Sequence, residues 1–501
     1  MTSRLFIRPR RALRTLFVAS AMSAASAAAA QNAGGDDTRL RLNQGIDRSS
    51  AEAERRLLEG TDALTVPSTI EVDGRTYTVN NNADEMGQAL YISIARKQWQ
   101  DVRRFLDAYR RLEDRDPMLF LYAEGALARQ AGDLATAEAR YRALLALQAD
   151  FLPARLELAR ILFERRKDRD ALRAFRGVQS QIEAQGDRAS GIQQTVNLFI
   201  AALDKRRGWQ GSIAVGPGYS SNLNQSSASY ACLLMGPDGT CLIDRKVPDP
   251  IKATGVNFEG TLSRRTPLGG NDGILGRAVV YGDIYPGHGA YSQATLAAQI
   301  GYDHQTLKGG YTLSPTLELS SFGPNLLYTA WGLRAEAMVA PTPQSALRVE
   351  ASRKIFDYRQ RAYRDYDGAL TEIYLTGWYA PVAGLSFFGG PDLADKTADQ
   401  GANAYRQLGL RVGLNKTFGK AANLLAFTSH RWRDYRGFSD LLGARRHDRD
   451  QNFVAIVKLP ALRFAGLTPN ILVQHNRVES NVDWLYSWRR TAASFRLERA
   501  F

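Results

Sequence analysis

The chain has 501 residues, of which 44% are hydrophobic and 23% charged, with a formal net charge of +14. That length leaves room for two or three domains. A basic balance suits nucleic acid or an anionic surface, but the Lys and Arg are scattered and no nucleic-acid-binding motif is present, so nucleic acid is not an expected partner. Beyond the first thirty positions no run reaches the roughly 18 apolar residues of a spanning helix. A membrane-spanning form would therefore have to use closed strands, because lipid offers no partner to open backbone groups.

Residues 1–30 read as a secretory signal. Arg4, Arg8, Arg10, Arg11 and Arg14 form a positive region, Leu16-Phe17-Val18-Ala19 opens an apolar one, and Ala28-Ala29-Ala30 offers a small-residue cleavage site before Gln31. Residues 31–83 form a polar N-terminal segment. Within it, Thr69-Ile70-Glu71-Val72 and Thr76-Tyr77-Thr78-Val79 flank Asp73-Gly74, a turn signal between alternating residues that predicts a small hairpin.

From about Asp84 to Arg207 the period is helical, with two segments repeating at 34 residues. Gly125 corresponds to Ala159, Ala137 to Ala171, and Tyr141 to Phe175. These are the small and aromatic positions of a tetratricopeptide repeat, where a small residue lets two helices approach and an aromatic fills the gap to the next hairpin. Gly132-Asp133-Leu134 supplies one turn, and Pro153 opens the second copy. A half-matching earlier copy runs from Leu90 to Tyr109, with Trp99 after its turn and Leu106, one residue out of register, in the aromatic place. Residues 191–207 read as a capping helix with Val196, Phe199, Ile200 and Leu203 on one face.

Past Gly208 the period becomes two. Leu313, Leu317 and Leu319 alternate with polar neighbours, as do Leu347, Val349 and Ala351, and Leu408, Leu410, Val412 and Leu414. We count 14 candidate strands: 208–219, 254–264, 273–284, 290–303, 309–321, 328–340, 346–357, 366–380, 383–390, 404–418, 421–435, 448–459, 468–480 and 489–501. A soluble sandwich would also alternate. The secretion signal, the terminal Phe501 and an asymmetry of connections point instead to a transmembrane barrel. Tight turns at 341–345, 381–384 and 419–420 stand against longer loops at 220–253, 391–403 and 436–447. Phe495, Leu497 and Phe501 lie on one apolar row that fits a terminal insertion signal, interrupted by Arg499. Trp378, Tyr379, Trp432, Tyr435, Trp484, Tyr486 and Trp488 fall near strand ends, where aromatic girdles would stand.

Cys232 and Cys241 are the two cysteines; in an exported chain they predict one disulfide pinning a loop, the alternative being two free thiols. The histidines His288, His304, His430, His447 and His475 are dispersed, and no metal motif, phosphate loop or nucleophile elbow is present. No metal, cofactor or catalytic residue is expected, and the chain is read as a non-enzyme.

Several stretches resemble the Slam family, the surface lipoprotein assembly modulators of Gram-negative outer membranes. They are Val72-Asp73-Gly74-Arg75-Thr76-Tyr77-Thr78-Val79, Asp84-Glu85-Met86-Gly87-Gln88-Ala89-Leu90-Tyr91, Gln98-Trp99-Gln100-Asp101-Val102 and Gly218-Tyr219-Ser220-Ser221-Asn222-Leu223-Asn224. The resemblance implies a periplasmic tetratricopeptide-like helical repeat domain (84–207) followed by a 14-stranded antiparallel transmembrane β-barrel (208–501) in the outer membrane. It also implies translocation of exported lipoproteins or secreted proteins to the cell surface. Expected partners are that cargo, outer-membrane lipid and the barrel-assembly machinery. On the repeat register, cargo-binding candidates are Tyr122, Arg129, Leu156, Arg160 and Phe163, with plain packing between helices as the alternative for Leu156 and Phe163. Lumen candidates are Arg348, Glu350, Lys354, Gln407 and Arg411. A passive porin with an accessory helical domain, or a structural outer-membrane anchor, are the competing readings.

Overall fold

The computed structural model describes residue 79 and residues 82–184, 190–235 and 240–501. The expected signal segment, the polar segment after it and all of the small hairpin except Val79 lie outside the described residues.

The helical domain is built from α1 (Ala83–Ala95), α2 (Trp99–Tyr109), α3 (Pro117–Gln130), α4 (Leu134–Leu147), α5 (Leu152–Glu164), α6 (Asp168–Glu183) and α7 (Ser190–Arg207). Local chemistry sets the ends. Asn82 caps α1 by accepting from the Glu85 amide at 2.8 Å, Asp116 caps α3 ahead of Pro117, and Asp133 caps α4. The three hairpin turns share one geometry. Lys97, Gly132 and Arg166 all take positive φ (56°, 80° and 62°). In each turn the next amide reaches back five residues, Gln98 to Ser93, Asp133 to Ala128 and Lys167 to Leu162, at 2.9, 2.9 and 3.0 Å. This is the left-handed C-terminal cap that satisfies the last helical carbonyls, and it recurs with the repeat. Glycine supplies it without strain once; Lys97 and Arg166 adopt it against the steric preference of a side chain.

Packing follows the repeat. A methyl group on Gly125 would stand 2.8 Å from the Tyr141 ring, so α3 and α4 approach through glycine. The buried Ala159 and Phe175 lie in one cluster with Ala171, Val178, Val196, Phe199 and Leu203, which joins α5, α6 and α7. Between successive hairpins the buried Glu138 of α4 accepts from Arg142 at 2.9 Å, Arg165 at 2.5 Å and Lys167 at 2.8 Å.

The second part is one closed antiparallel barrel. Its strands are β1 (Gln210–Ser220), β4 (Ala253–Gly269), β5 (Asp272–Ile284), β6 (Gln293–Thr306), β7 (Gly309–Phe322), β8 (Asn325–Thr342), β9 (Ser345–Tyr358), β10 (Gly368–Val382), β11 (Leu385–Lys396), β12 (Tyr405–Phe418), β13 (Ala422–Ser439), β14 (Ala444–Lys458), β15 (Thr468–Ser480) and β16 (Trp488–Ala500). Each of these 14 overlaps a strand expected from the alternation. Between β1 and β4 a separate hairpin, β2 (Tyr230–Met235) with β3 (Cys241–Lys246), adds two strands that the alternation did not announce. The ring closes where β1 pairs with β16. No described helix is long and apolar enough to cross a membrane.

The outer wall is apolar: Ile213, Leu313, Leu317, Trp331, Val349, Leu408, Leu410 and Val412 are all exposed on it. The expected asymmetry of connections is present: at the end away from the helical domain five connections (β1–β4, β5–β6, β9–β10, β11–β12 and β15–β16) span seven residues or more, whereas at the near end only that between β14 and β15 exceeds three. The loops expected at 391–403 and 436–447 are shorter, because β11 runs on to Lys396 and β13 to Ser439. The aromatic girdle is incomplete. Tyr379 and Trp432 are exposed, but Tyr435 and Trp488 are buried, and Tyr486 stacks on the Arg446 guanidinium.

Burial raises the Glu138 carboxyl, but Lys167, Arg142 and Arg165 outweigh it and hold it below its ordinary value of 4.5. A depressed carboxyl stabilises the fold above its unfolded value, and that stability is lost as pH falls through the folded one. The helical melting temperature of the full chain in detergent should therefore drop on acidification below about pH 4.5. Glu138→Gln should cost about 1–3 kcal/mol near neutral pH and leave a smaller acid-side drop, measured by ellipticity at each pH.

Candidate functional site: barrel interior and helical junction

The inward row of the barrel is polar and occupied. Arg348, Glu350 and Lys354 of β9 and Gln407 and Arg411 of β12 all face inward, as their alternation implies. They are paired along the wall. Arg334 reaches Glu350 at 2.5 Å and Glu336 at 2.7 Å. Lys354 holds Glu318 at 2.9 Å, and Glu318 also accepts from the Tyr328 hydroxyl at 2.7 Å. Arg411 and Arg431 share Asp392 at 3.1 and 3.4 Å, and Arg433 donates to Gln407. Arg348 lies over the Trp378 ring. Glu350, Glu318 and Arg411 are each 2% exposed and Asp392 1%. The interior is therefore lined by close-packed ion pairs rather than by solvated side chains.

At the end of the barrel away from the helical domain, aromatic side chains fill the mouth. Tyr328, Phe356, Tyr358 and Tyr363 form a buried cluster with Leu370, Tyr363 coming from the short turn Arg361–Tyr366. Tyr435 and Arg446 pack with Tyr486 on the neighbouring side. The long connection after β1 also folds inward: Asn222 bonds to Ser226 and to the Arg489 carbonyl, Asn224 to the Asp249 carbonyl and Ile251 amide, and Ser227 to the Trp484 carbonyl. Cys232 and Cys241 are bonded to each other in the β2–β3 hairpin beyond this connection.

At the opposite end the helical domain docks on the barrel around one buried carboxylate, with turn contacts beside it. Asp168, the first residue of α6, is 2% exposed. It accepts from Arg206 of α7 at 2.7 Å and from Arg265 of β4 at 3.3 Å. Arg265 continues to Asp303 of β6 at 2.5 Å and donates to the Asn271 carbonyl at 2.9 Å. The turn between β4 and β5 is held to the α5–α6 turn by Arg169 on the Leu268 carbonyl, the Gly270 amide on Asp170 and the Asn271 amide on the Arg165 carbonyl. None of these residues was singled out in the sequence, since the pair is 97 positions apart.

The cargo-binding candidates divide. Tyr122 is half-buried, edge-on to Tyr141 and Phe151. Arg129 is engaged by Glu157 at 3.2 Å and Glu164 at 2.6 Å, and burial pushes the Glu164 carboxyl up despite Arg129. Leu156 packs against the α5–α7 core. Arg160 and Phe163 do not lie on an open groove: they are 1% and 0% exposed. Phe163 meets Phe199 edge-on at 5.0 Å and carries the Arg206 guanidinium 3.8 Å from its ring centre. Helix α7 covers what the repeat register leaves open. In the terminal strand Phe495 and Phe501 are exposed on the outer row, with Leu497 half-buried between them, and Phe501 exchanges both backbone hydrogen bonds with Gly211.

Removing one partner of a buried pair leaves an uncompensated charge. Asp392→Asn, which removes the carboxylate that Arg411 and Arg431 share, should destabilise the barrel by about 3–5 kcal/mol. The check is the temperature at which folded, fast-migrating barrel converts to the unfolded band on gels.

Residues 209–501 match the family model described as surface lipoprotein assembly modifier, and residues 73–175 match that of its N-terminal tetratricopeptide repeats. The chain is similar to the hemophilin secretion modulator of Acinetobacter baumannii, with 36% identity over 93% of this chain and 96% of that one. It is also similar to surface lipoprotein assembly modifiers 1 and 2 of Neisseria meningitidis, at 24% and 23% identity over 82% and 96% of this chain and 82% and 97% of theirs. An apolar-walled closed barrel joined to three helical hairpins, matched along both parts, identifies the chain as an outer-membrane protein of the surface lipoprotein assembly modifier family.

Proposed function

We propose that this protein carries exported lipoproteins, or secreted proteins, across the outer membrane to the cell surface. The helical domain stands in the periplasm and receives cargo, and the barrel passes it outward. The observation that carries this reading is the junction at Asp168. It fixes a repeat array, an architecture suited to binding extended or folded protein partners, over one mouth of the barrel. The names of the related proteins, a hemophilin secretion modulator and surface lipoprotein assembly modifiers, support cargo of the lipoprotein or secreted class. The porin reading is weaker because ion pairs and aromatics occupy the interior. On this reading residues 1–30 are the export signal, and the β2–β3 disulfide lies in an extracellular loop. Phe495, Leu497 and Phe501 present the terminal row to the assembly machinery. Among the cargo candidates, Tyr122, Arg129 and Leu156 keep partial access.

Cargo exposure should need both parts. In a host lacking relatives, co-expression with a lipoprotein encoded beside this chain should render that lipoprotein sensitive to protease added to intact cells. The barrel alone (208–501) and the helical domain alone (84–207) should each leave it protected. Full protection with the intact chain, together with faster uptake of small solutes, would transfer support to the porin reading.

A further inference from the structure

The closing seam of the barrel differs from every other strand pair. Each other pair of neighbours is joined by a turn or a connecting loop, whereas β1 and β16 are held only by non-covalent contacts. Their ladder is in two blocks. Ser212–Val215 pair with Leu497–Ala500 and Gly218–Ser220 with Ala492–Ser494; between them Gly216 and Pro217 stay opposite Arg496 and Phe495 in the same register, but the ladder pairing is interrupted. Proline has no amide to donate. Pro217 still keeps register with Val256 on the other side, where the β1–β4 ladder is unbroken, so the missing bond falls on the β16 side. Comparable breaks lie beside Pro315 and Pro391, but those strands are tied by short turns. At Pro391 Arg411 also reaches across to the Leu375 carbonyl and the Thr376 hydroxyl.

Side chains add little at the break. Gly216 and Gly218 leave the inner face of β1 bare, and Arg496 of β16 uses that space. Its guanidinium passes behind β1 to β4, donating to Asn257 at 3.2 Å and Glu259 at 2.9 Å, while its Nε holds Asn470 of β15 at 2.8 Å. Beside this strap lies a polar cavity of about 120 Å³, lined by Gly218, Asn257, Asn476, Arg490 and Ser494 among others. The Ser494 hydroxyl is buried there without a hydrogen-bond partner. Outside, the seam presents Ile213, Val215, Tyr219 and Phe495 to the bilayer.

We propose that the β1–β16 seam is a lateral exit, latched by Arg496, through which the acyl anchor of a lipidated cargo stays in contact with the bilayer while its polypeptide crosses. This rests on the translocation reading. An acyl chain drawn through an ion-paired interior would forfeit about 0.8 kcal/mol for each methylene taken out of lipid. A slot between two strands avoids that loss, and it opens most easily where the ladder is already broken and no covalent turn restrains it.

A pair of engineered disulfides tests this in the full chain, with Cys232→Ser and Cys241→Ser as background. A Cβ on Gly218 would stand 3.6 Å from that of Ser494 across the seam, within the span a disulfide accepts. Gly218→Cys with Ser494→Cys should reduce protease-accessible lipidated cargo on intact cells at least tenfold, with recovery after reductant. Ser212→Cys with Thr261→Cys, a bridge on the other edge of β1 where the two hydroxyl oxygens lie 3.0 Å apart and the residues stand directly opposite, should leave exposure within twofold of the background. Undiminished exposure with the seam bridged, or equal loss from both bridges, would overturn the lateral exit. Loss of exposure already in the unbridged background would instead count against the translocation reading.

Discussion

A buried carboxylate sits at the centre of the contact between the two halves of this protein. Asp168 opens α6 and is shared by Arg206 of the helical domain and Arg265 of the barrel. Its place at a helix N-terminus favours the negative charge, and two guanidiniums offset the cost of burying it. The contact is chemically specific because removing any one member leaves a buried charge less fully compensated. The same Arg265 reaches Asp303, so the wall of the barrel and the last repeat hairpin share a single network. Helix α7 runs from this network into β1, and Arg206 lies on Phe163 along the way. Packing of the array's final hairpin and placement of the barrel's first strand are thus parts of one structure.

The barrel interior poses the complementary problem. A 14-stranded ring encloses enough space for a channel, yet here that space is taken up by arginine–carboxylate pairs and by tyrosines at the far mouth. Such pairs stiffen a wall and cost little while they remain intact. They also mean that passage of a polypeptide requires displacement of side chains or of strands. The structure offers one place where strand displacement is cheap, the interrupted β1–β16 ladder, and one side chain, Arg496, that spans it.

Most of the architecture was legible in the sequence for a physical reason. In a two-faced wall each residue must point to lipid or inward, so alternation is written into every strand, and Leu408, Leu410 and Val412 against Gln407 and Arg411 could hardly be read otherwise. The hairpin array was legible through Gly125 and Tyr141, since close helix approach demands a missing side chain. The aromatic misreading was avoidable: Tyr435 shares its parity with Arg431 and Arg433, which marks it as inward, whereas Trp432 has the outward parity. The burial of Phe163 was not legible from the repeat register, which describes one hairpin and not the helix that ends the stack, and that of Arg160, paired with Glu157, depends on the neighbouring hairpin. Nor could alternation reveal the junction, because Asp168 and Arg265 belong to different periodicities in different domains. The interrupted seam lay in the sequence as Gly216-Pro217-Gly218, but its meaning depended on knowing which strand lay beside it.

Function on this reading requires that the array and the barrel act through their shared ion pair. The most direct measurement is a double-mutant cycle of Asp168→Asn and Arg265→Gln, read on the rate at which co-expressed lipoprotein becomes protease-accessible on intact cells and on the proteolytic stability of the junction near Gly208. Residues in direct contact couple, so the double variant is expected to lose no more than the worse single variant. Losses that simply add, or single variants that leave cargo exposure unchanged while the junction is cleaved freely, would contradict it.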